Sequence, residues 1–383
     1  MSTVLDAIAE IASPHGLALR KAIPRGPDHL LLVFERADGS KLAGQWYADP
    51  VRAAVAARET RESTGDSVPV PVLADSGVLL QPDGADRRMP GLHLLATAPG
   101  ATLVAHRPER RAMVRHLRHD GQVTYTKVVR PDRLAALVAR ADVHVPDVSV
   151  PQVTAVDVAA GTMTCTELPG RTFLQLLDDP AVPDREIVTI SRRIGEAVAR
   201  LHAAVPPADA GHHDAAAEAG VVRRWLDRAA MYGVLDAERS PVRESLHAAL
   251  RLLAEPPCDP TYLHRDLHEM QVLVDEKGEV GMIDFDLATT GEPALDLANL
   301  LVHLELHGRH QRRSFARSVG CAEAVVEAYA PDTAVWRRVP AYALATRLRL
   351  AAVNAFRPRR AETALSLLTD PAPGPLHDSL ELT

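Results

Sequence analysis

TYLHRDLHEMQVLVDEKGEVGMIDFDLATTGEPALDLANL, residues 261–300, reads as strand, loop, strand, turn, strand, loop, helix. His264-Arg265-Asp266-Leu267 opens a polar loop. Gln271-Val272-Leu273-Val274 and Val280-Gly281-Met282-Ile283 are short β-type runs on either side of the turn Asp275-Glu276-Lys277-Gly278. Paired as a hairpin, the two runs bring Asp266 at the entrance and Asp284 at the exit toward one point. Two carboxylates and the Gln271 carboxamide around one cavity suit a hard cation with oxygen ligands. Phosphoryl transfer needs that arrangement, with a metal on the phosphate oxygens and an Asp that takes or orients the proton of the attacking hydroxyl. The alternative for both aspartates is a turn or cap carboxylate.

The same residues resemble a known signature. His264-Arg265-Asp266-Leu267, with Gln271 at the Asn position, followed by Asp284-Phe285-Asp286, with Asp286 in place of Gly, resembles the protein-kinase catalytic and metal-binding motifs. GEPALDLANLL, residues 291–301, is similar instead to the aminoglycoside phosphotransferase and choline kinase superfamily. The resemblance implies an α+β, bilobal protein-kinase-like fold that uses ATP and Mg2+. Asp266 is then the catalytic base or hydroxyl orienter, Asp284 the metal ligand and Gln271 the second ligand. Asp296 braces the catalytic loop, and His264 is a packed support for that loop. Lys127, in the run from Gln122 to Val129, takes the phosphate-binding position. Cys165-Thr166-Glu167-Leu168-Pro169-Gly170 resembles the hinge, where the Thr166 carbonyl and the Leu168 amide would meet adenine; the alternative is a plain interdomain turn.

Two departures from the family pattern stand out. The segment before Lys127 has no glycine-rich loop and carries His106-Arg107-Pro108-Glu109-Arg110-Arg111 instead. Among these Arg110 is assigned to the nucleotide phosphates. The helix expected over Asp132–Ala141 offers no central Glu to pair with Lys127. The departures leave open a catalytically silent pseudokinase acting as a nucleotide-binding scaffold. A kinase for Ser or Thr of a peptide is a third reading, since the fold alone does not choose the acceptor.

Composition narrows the class. The chain has 383 residues, enough for two or three domains, and its net charge of −7 argues against a general nucleic-acid binder. Three scattered cysteines, Cys165, Cys258 and Cys321, lack zinc or redox spacing and fit a reducing cytoplasm. The first residues lack signal-peptide character, and no run approaches the length of a membrane span. The partner expected is a small-molecule hydroxyl acceptor, with neither nucleic acid nor membrane involved and with the oligomeric state open. An aminoglycoside acceptor would want an acidic pocket, for which Glu292, Glu305 and Asp214 are candidates. Arg347, Arg349, Arg357, Arg359 and Arg360 form a late basic cluster, read as solvated or ion-paired faces, with an anionic-substrate site as the alternative.

Two stretches before the hinge follow one plan: an Asp-Gly hairpin, a helix, a Val-Pro strand, another strand and Pro-Gly. The offset is near 80 residues. Residues 1–98 are therefore expected to be a sheet-and-helix module resembling a degenerate N-lobe, with Gln45 where the second copy has Lys127. Residues 99–168 form the N-lobe and residues 169–383 a helical C-lobe. The helix expected over Val4–Ala12 opens the chain. Pro206–Ala219 reads as a mobile loop in which His212, His213 and Asp214 are solvated. Gln311–Val319 and Ala322–Tyr329 read as two helices, and the last residues as a loose tail.

Overall fold

A computed structural model describes residues 3–65, 68–73, 76–310, 315–370 and 375–376. The N-terminal module comprises α1 (Val4–Ala12), β1 (Ala18–Gly26), β2 (His29–Glu35), β3 (Lys41–Tyr47), α2 (Pro50–Thr64), β4 (Val72–Leu73), β5 (Val78–Gln81) and α3 (Leu92–Ala96). The next module comprises β6 (Ala101–Arg107), β7 (Arg111–Leu117), β8 (Val123–Val129), α4 (Pro131–Ala141), β9 (Val153–Asp157) and β10 (Thr162–Thr166). Their antiparallel sheets have one plan, β1-β2-β3-β5-β4 and β6-β7-β8-β10-β9.

The local chemistry repeats as well. The Asp38-Gly39 turn closes with Arg36 N donating to Ser40 O at 2.9 Å, and the Asp120-Gly121 turn closes with Arg118 N donating to Gln122 O at 2.8 Å. Tyr47 N donates to Gly77 O at 3.0 Å, and Val129 N to Gly161 O at 2.9 Å. Gly77 and Gly161 have φ of 75° and 67°, and a Cβ on either would strike the facing carbonyl at 2.0 or 2.2 Å. Only glycine passes the chain at that corner.

Strands β1 and β6 carry no sequence signal, for a reason visible in the register. Bulges break β1 between Leu19 and Lys21 and again between Pro24 and Gly26, and β6 between Leu103 and Ala105. Each bulge shifts the inward set by one residue, so the alternation that marks a half-buried strand is lost.

The helical lobe follows: β11 (Arg171–Thr172), α5 (Phe173–Asp178), α6 (Asp184–Ala203), β12 (His212–His213), α7 (Ala215–Met231) and α8 (Ser240–Leu253). Then come β13 (Thr261–Leu263), β14 (Val272–Val274), β15 (Val280–Met282), β16 (Thr289–Gly291), α9 (Ala294–His310), α10 (Phe315–Tyr329), α11 (Thr333–Ala355) and α12 (Ala361–Thr369). Helix α6 buries the stripe Ile187, Ile190, Ile194, Val198 and Leu201 expected from its periodicity. The two late helices are one, α10; residues 311–314 lie outside the described residues, as do 371–374 and 377–383 of the expected tail.

The reading of Pro206–Ala219 as a loop needs correction. β12 pairs in parallel with β16, the His213 ring bonds Glu218 Oε2 at 2.8 Å, and Asp214 caps α7 by accepting from Ala217 N. The cap and the buried His–Glu pair supply order that composition alone hides. Packing also divides the chain differently from its sheets. One apolar core runs from α1, β1 and β2 into the helical lobe, while β6–β10 is built on two small separate clusters.

Candidate active site

The hairpin β14–β15 pairs Val272 with Met282, and Gln271 O accepts from Ile283 N at 3.0 Å. Gln271 therefore faces the residue immediately before Asp284. A Cβ on Gly281 would stand 3.0 Å from Leu168 Cδ1, so Leu168 packs directly on the hairpin.

The histidine of the loop ties its two halves together. His264 Nε2 donates to Ile283 O at 2.8 Å, and Nδ1 accepts from Asp266 N at 3.3 Å. Its ring lies 4.7 Å from that of Phe285. One side chain thus fixes the backbone beside both aspartates. From below, the fully buried Asp296 accepts from His264 N and Arg265 N, each at 2.7 Å. Asn299 donates to Leu267 O at 2.8 Å. Arg265 and Asp284 both have positive φ, 68° and 66°, a strain that these bonds hold in place.

Lys127 reaches this loop from the N-lobe. Its Nζ lies 2.9 Å from Asp284 Oδ1 and also bonds Asp286 Oδ1. The missing helix Glu is thus replaced as a lysine partner by the second acid of Asp284-Phe285-Asp286. Burial alone would raise the Asp284 carboxyl, but Lys127 and Arg111 outweigh it and hold the group well below the usual carboxylate range. Burial and the neighbouring Asp284 charge push Asp286 the other way, upward, although Lys127 opposes them. Burial would lower Lys127, and the two carboxylates more than reverse it. The three groups form one charge-coupled cluster across the cleft.

In the basic turn the arginine that meets the two acids is the one after Arg110. Arg111, on β7, holds Asp286 at 2.7 Å and stands 4.0 Å from Asp284. Arg110 is exposed, and its charged surroundings are Arg25, Arg133, Arg107 and Arg130. The strand starts at Arg111, so that side chain alone is committed to the sheet face over the cleft. Arg107, at the end of β6, feels Asp284, Asp266 and Asp286 together.

The acidic pocket expected from Glu292, Glu305 and Asp214 is absent. Glu292 is buried against Arg338 at 2.6 Å and Tyr342 at 2.7 Å, and Glu305 against Arg347 at 2.9 Å and Arg309 at 2.7 Å. Asp214 is the α7 cap. A buried carboxylate already paired with a guanidinium is not available to an incoming ammonium.

A phosphotransferase enzyme family model matches residues 94–342. The chain belongs to the phosphotransferase enzyme family. No curated protein matches it. Among solved structures, amicoumacin kinase hAmiN, in complex with AMP-PNP, Ca2+ and Ami, has 14% identity, covering 75% of this chain and 93% of that one, at a TM-score of 0.51. An aminoglycoside phosphotransferase, APH(3'')-Id from Streptomyces rimosus, has 22% identity over 67% and 96% of the two chains, with a TM-score of 0.49. A glucosamine kinase has 18% identity over 93% and 92%, with a TM-score of 0.45. This phosphotransferase thus has the bilobal protein-kinase-like fold. No helix among its described residues is long and apolar enough to cross a membrane.

In this phosphotransferase the basic turn is anchored by the N-terminal module. The fully buried Asp86 accepts from Arg88 N and Met89 N with one oxygen and from the His106 ring and Glu109 N with the other, at 2.7 to 3.1 Å. Glu109 in turn accepts from Arg87 Nε at 2.8 Å and Gln45 Nε2 at 3.2 Å. Nothing in the sequence marks Asp86, because its partners are donors from other elements. Asp86→Ala leaves several buried donors without an acceptor and is expected to cost about 2–5 kcal/mol of stability. It should also speed amide hydrogen exchange at Glu109. Denaturant unfolding and exchange measured together check this, and unchanged exchange at Glu109 would contradict the anchoring role.

Proposed function

We propose that the chain transfers the γ-phosphoryl group of ATP, with Mg2+, to a hydroxyl group of a small molecule. The observation that carries this reading is the 2.9 Å contact of Lys127 with Asp284, joined to Asp266 through the His264 bridge. On this reading Asp266, Gln271, Asp284 and Lys127 would serve one cleft between the two lobes. The AMP-PNP bound by hAmiN supports a nucleotide in the same fold.

The residues present fit a divalent cation. Asp284 is kept ionised, and Gln271 is its neighbour across the hairpin. These two would hold Mg2+, whose chemistry there is to neutralise charge on the phosphate oxygens. Lys127 and Arg111 would move from the carboxylates onto the phosphates, and Arg107 would flank them. The Thr166 carbonyl and Leu168 amide would meet adenine. Asp266 would accept the proton of the attacking hydroxyl as the oxygen bonds to phosphorus and the ADP oxygen leaves. The N-terminal module, with Gln45 fifth in β3 where Lys127 is fifth in β8, is read as a degenerate copy of the nucleotide sheet. Gln45 is fully buried and bonds Gln81 and Glu109, so it offers no charge to a phosphate.

An ADP-release assay with Mg·ATP and a panel of aminoglycosides, sugars, nucleosides and peptides tests this. Release that depends on a particular hydroxyl compound is expected. Tight nucleotide binding with no release on any acceptor would favour the scaffold reading.

A further inference from the structure

β1 carries a lysine, Lys21, on whose charge Arg357, Arg107, Arg111 and Asp266 act. The β1–β2 hairpin is pinned to the helical lobe at several points. Ala22 N donates to Phe356 O at 2.9 Å. Tyr232 Oη accepts from His29 N at 3.1 Å and donates to Gly26 O at 2.6 Å. The Tyr232 ring meets Trp46 and Phe356 edge-on. These bonds place Lys21 and Arg357 side by side, one on each flank of the Ala22–Phe356 bond.

Neither cation is neutralised. Lys21 is half-buried and makes no hydrogen bond or ion pair among the described residues. Arg357 bonds only the Asn354 side chain, at 3.1 Å, and its buried Nε has no acceptor. A buried cation without a partner is costly, so such a pair is expected where an anion from outside completes it. Arg107 and Arg111 add positive field, and Asp266 opposes it at Lys21.

We propose that Lys21 and Arg357 form the acceptor subsite, and that it binds an anionic group, carboxylate or phosphate, of the molecule whose hydroxyl meets Asp266. The proposal rests on the phosphotransferase reading and adds the acceptor's charge class. Position favours the acceptor over the nucleotide. Lys127, Arg107 and Arg111 sit on the sheet β6–β10, whereas Lys21 and Arg357 flank the Ala22–Phe356 bond beside the core shared by β1 and α11. Glu292 and Glu305 are buried and already paired with arginines, so neither is a counterpart for a polycationic acceptor. Burial, then Arg357, Arg107 and Arg111, push the Lys21 ammonium down to about 7, with Asp266 opposing. An anion that binds Lys21 is therefore held less well above neutral pH.

Calorimetric titration of the full chain with sodium sulfate, at constant ionic strength and with Mg·AMP-PNP saturating, tests the subsite. Sulfate keeps its charge across neutral pH, so any pH dependence belongs to the protein. Lys21→Met and Arg357→Met are each expected to weaken sulfate binding by about tenfold or more. Lys21→Arg should keep the affinity and abolish its fall through neutral pH, because arginine stays charged. Competition by acetate and by methyl phosphate identifies the acceptor's group as carboxylate or phosphate. Sulfate affinity unchanged in Lys21→Met overturns the proposal. So does a tenfold loss of Mg·AMP-PNP affinity in that variant, which would assign Lys21 to the nucleotide. A wild-type chain that fails to bind Mg·AMP-PNP overturns the phosphotransferase reading instead, and sulfate titration without nucleotide still reads the subsite.

Discussion

Asp266→Asn is expected to lower kcat by roughly 10³ or more, about 4 kcal/mol of barrier, while Mg·AMP-PNP affinity stays within about threefold. The substitution keeps the shape of the side chain, and the loop beneath it does not depend on the carboxylate. Asp266 enters the loop's hydrogen bonds through its backbone N–H to His264 Nδ1, and Asp296 holds the two preceding amides. What is lost is the acceptor for the hydroxyl proton. Steady-state ADP release with nucleotide binding measured in parallel separates the two effects. A variant within tenfold of wild-type turnover would remove Asp266 from the chemistry.

Asp284→Asn is the second large effect, and it has a sign that a folding defect does not imitate. In the wild type the carboxylate stays ionised because Lys127 and Arg111 outweigh its burial. Neutralising it removes one ligand charge from the cation site, so Mg-dependent AMP-PNP affinity should fall by about 10². Without Mg2+ the change should reverse. One negative charge fewer faces the triphosphate, and Lys127 is released from one of its two partners. Asp286, raised partly by the adjacent charge, should then titrate lower, because Asp284 no longer repels its ionised form. Titrations with and without Mg2+ test this; equal losses in both conditions would place Asp284 outside the metal site.

The stretch 261–300 is legible because its information is local. The hairpin runs, the Gly278 turn and the position of Asp296 depend on neighbours a few residues away. Gly278 adopts φ of 77° in the turn where it was expected, and β14 and β15 fall within the expected runs. The helix over Val4–Ala12 was equally readable, because Thr3 and Asp6 form a capping box around an apolar face. The repeat of hairpin, helix and strands showed itself through two Asp-Gly turns. In the two five-stranded sheets the strands that escaped are β1 and β6, and both are bulged. That Arg111 rather than Arg110 bonds Asp286 was not legible, because composition shows a basic turn but not the residue at which the strand resumes.

Sequence alone singled out the groups proposed for the chemistry: Asp266, Gln271, Asp284 and Lys127, each from its own short run. Only the tertiary structure decided what surrounds them. Lys127 and Asp284 are 157 residues apart and touch. Asp86 grips a turn on another sheet, and Glu292 and Glu305 are consumed by buried arginines. Pattern and propensity report the period of one element, whereas the charge of a cleft is set by which elements pack against one another. That depends on burial and on donor–acceptor matching between distant segments, and no short window of sequence contains both.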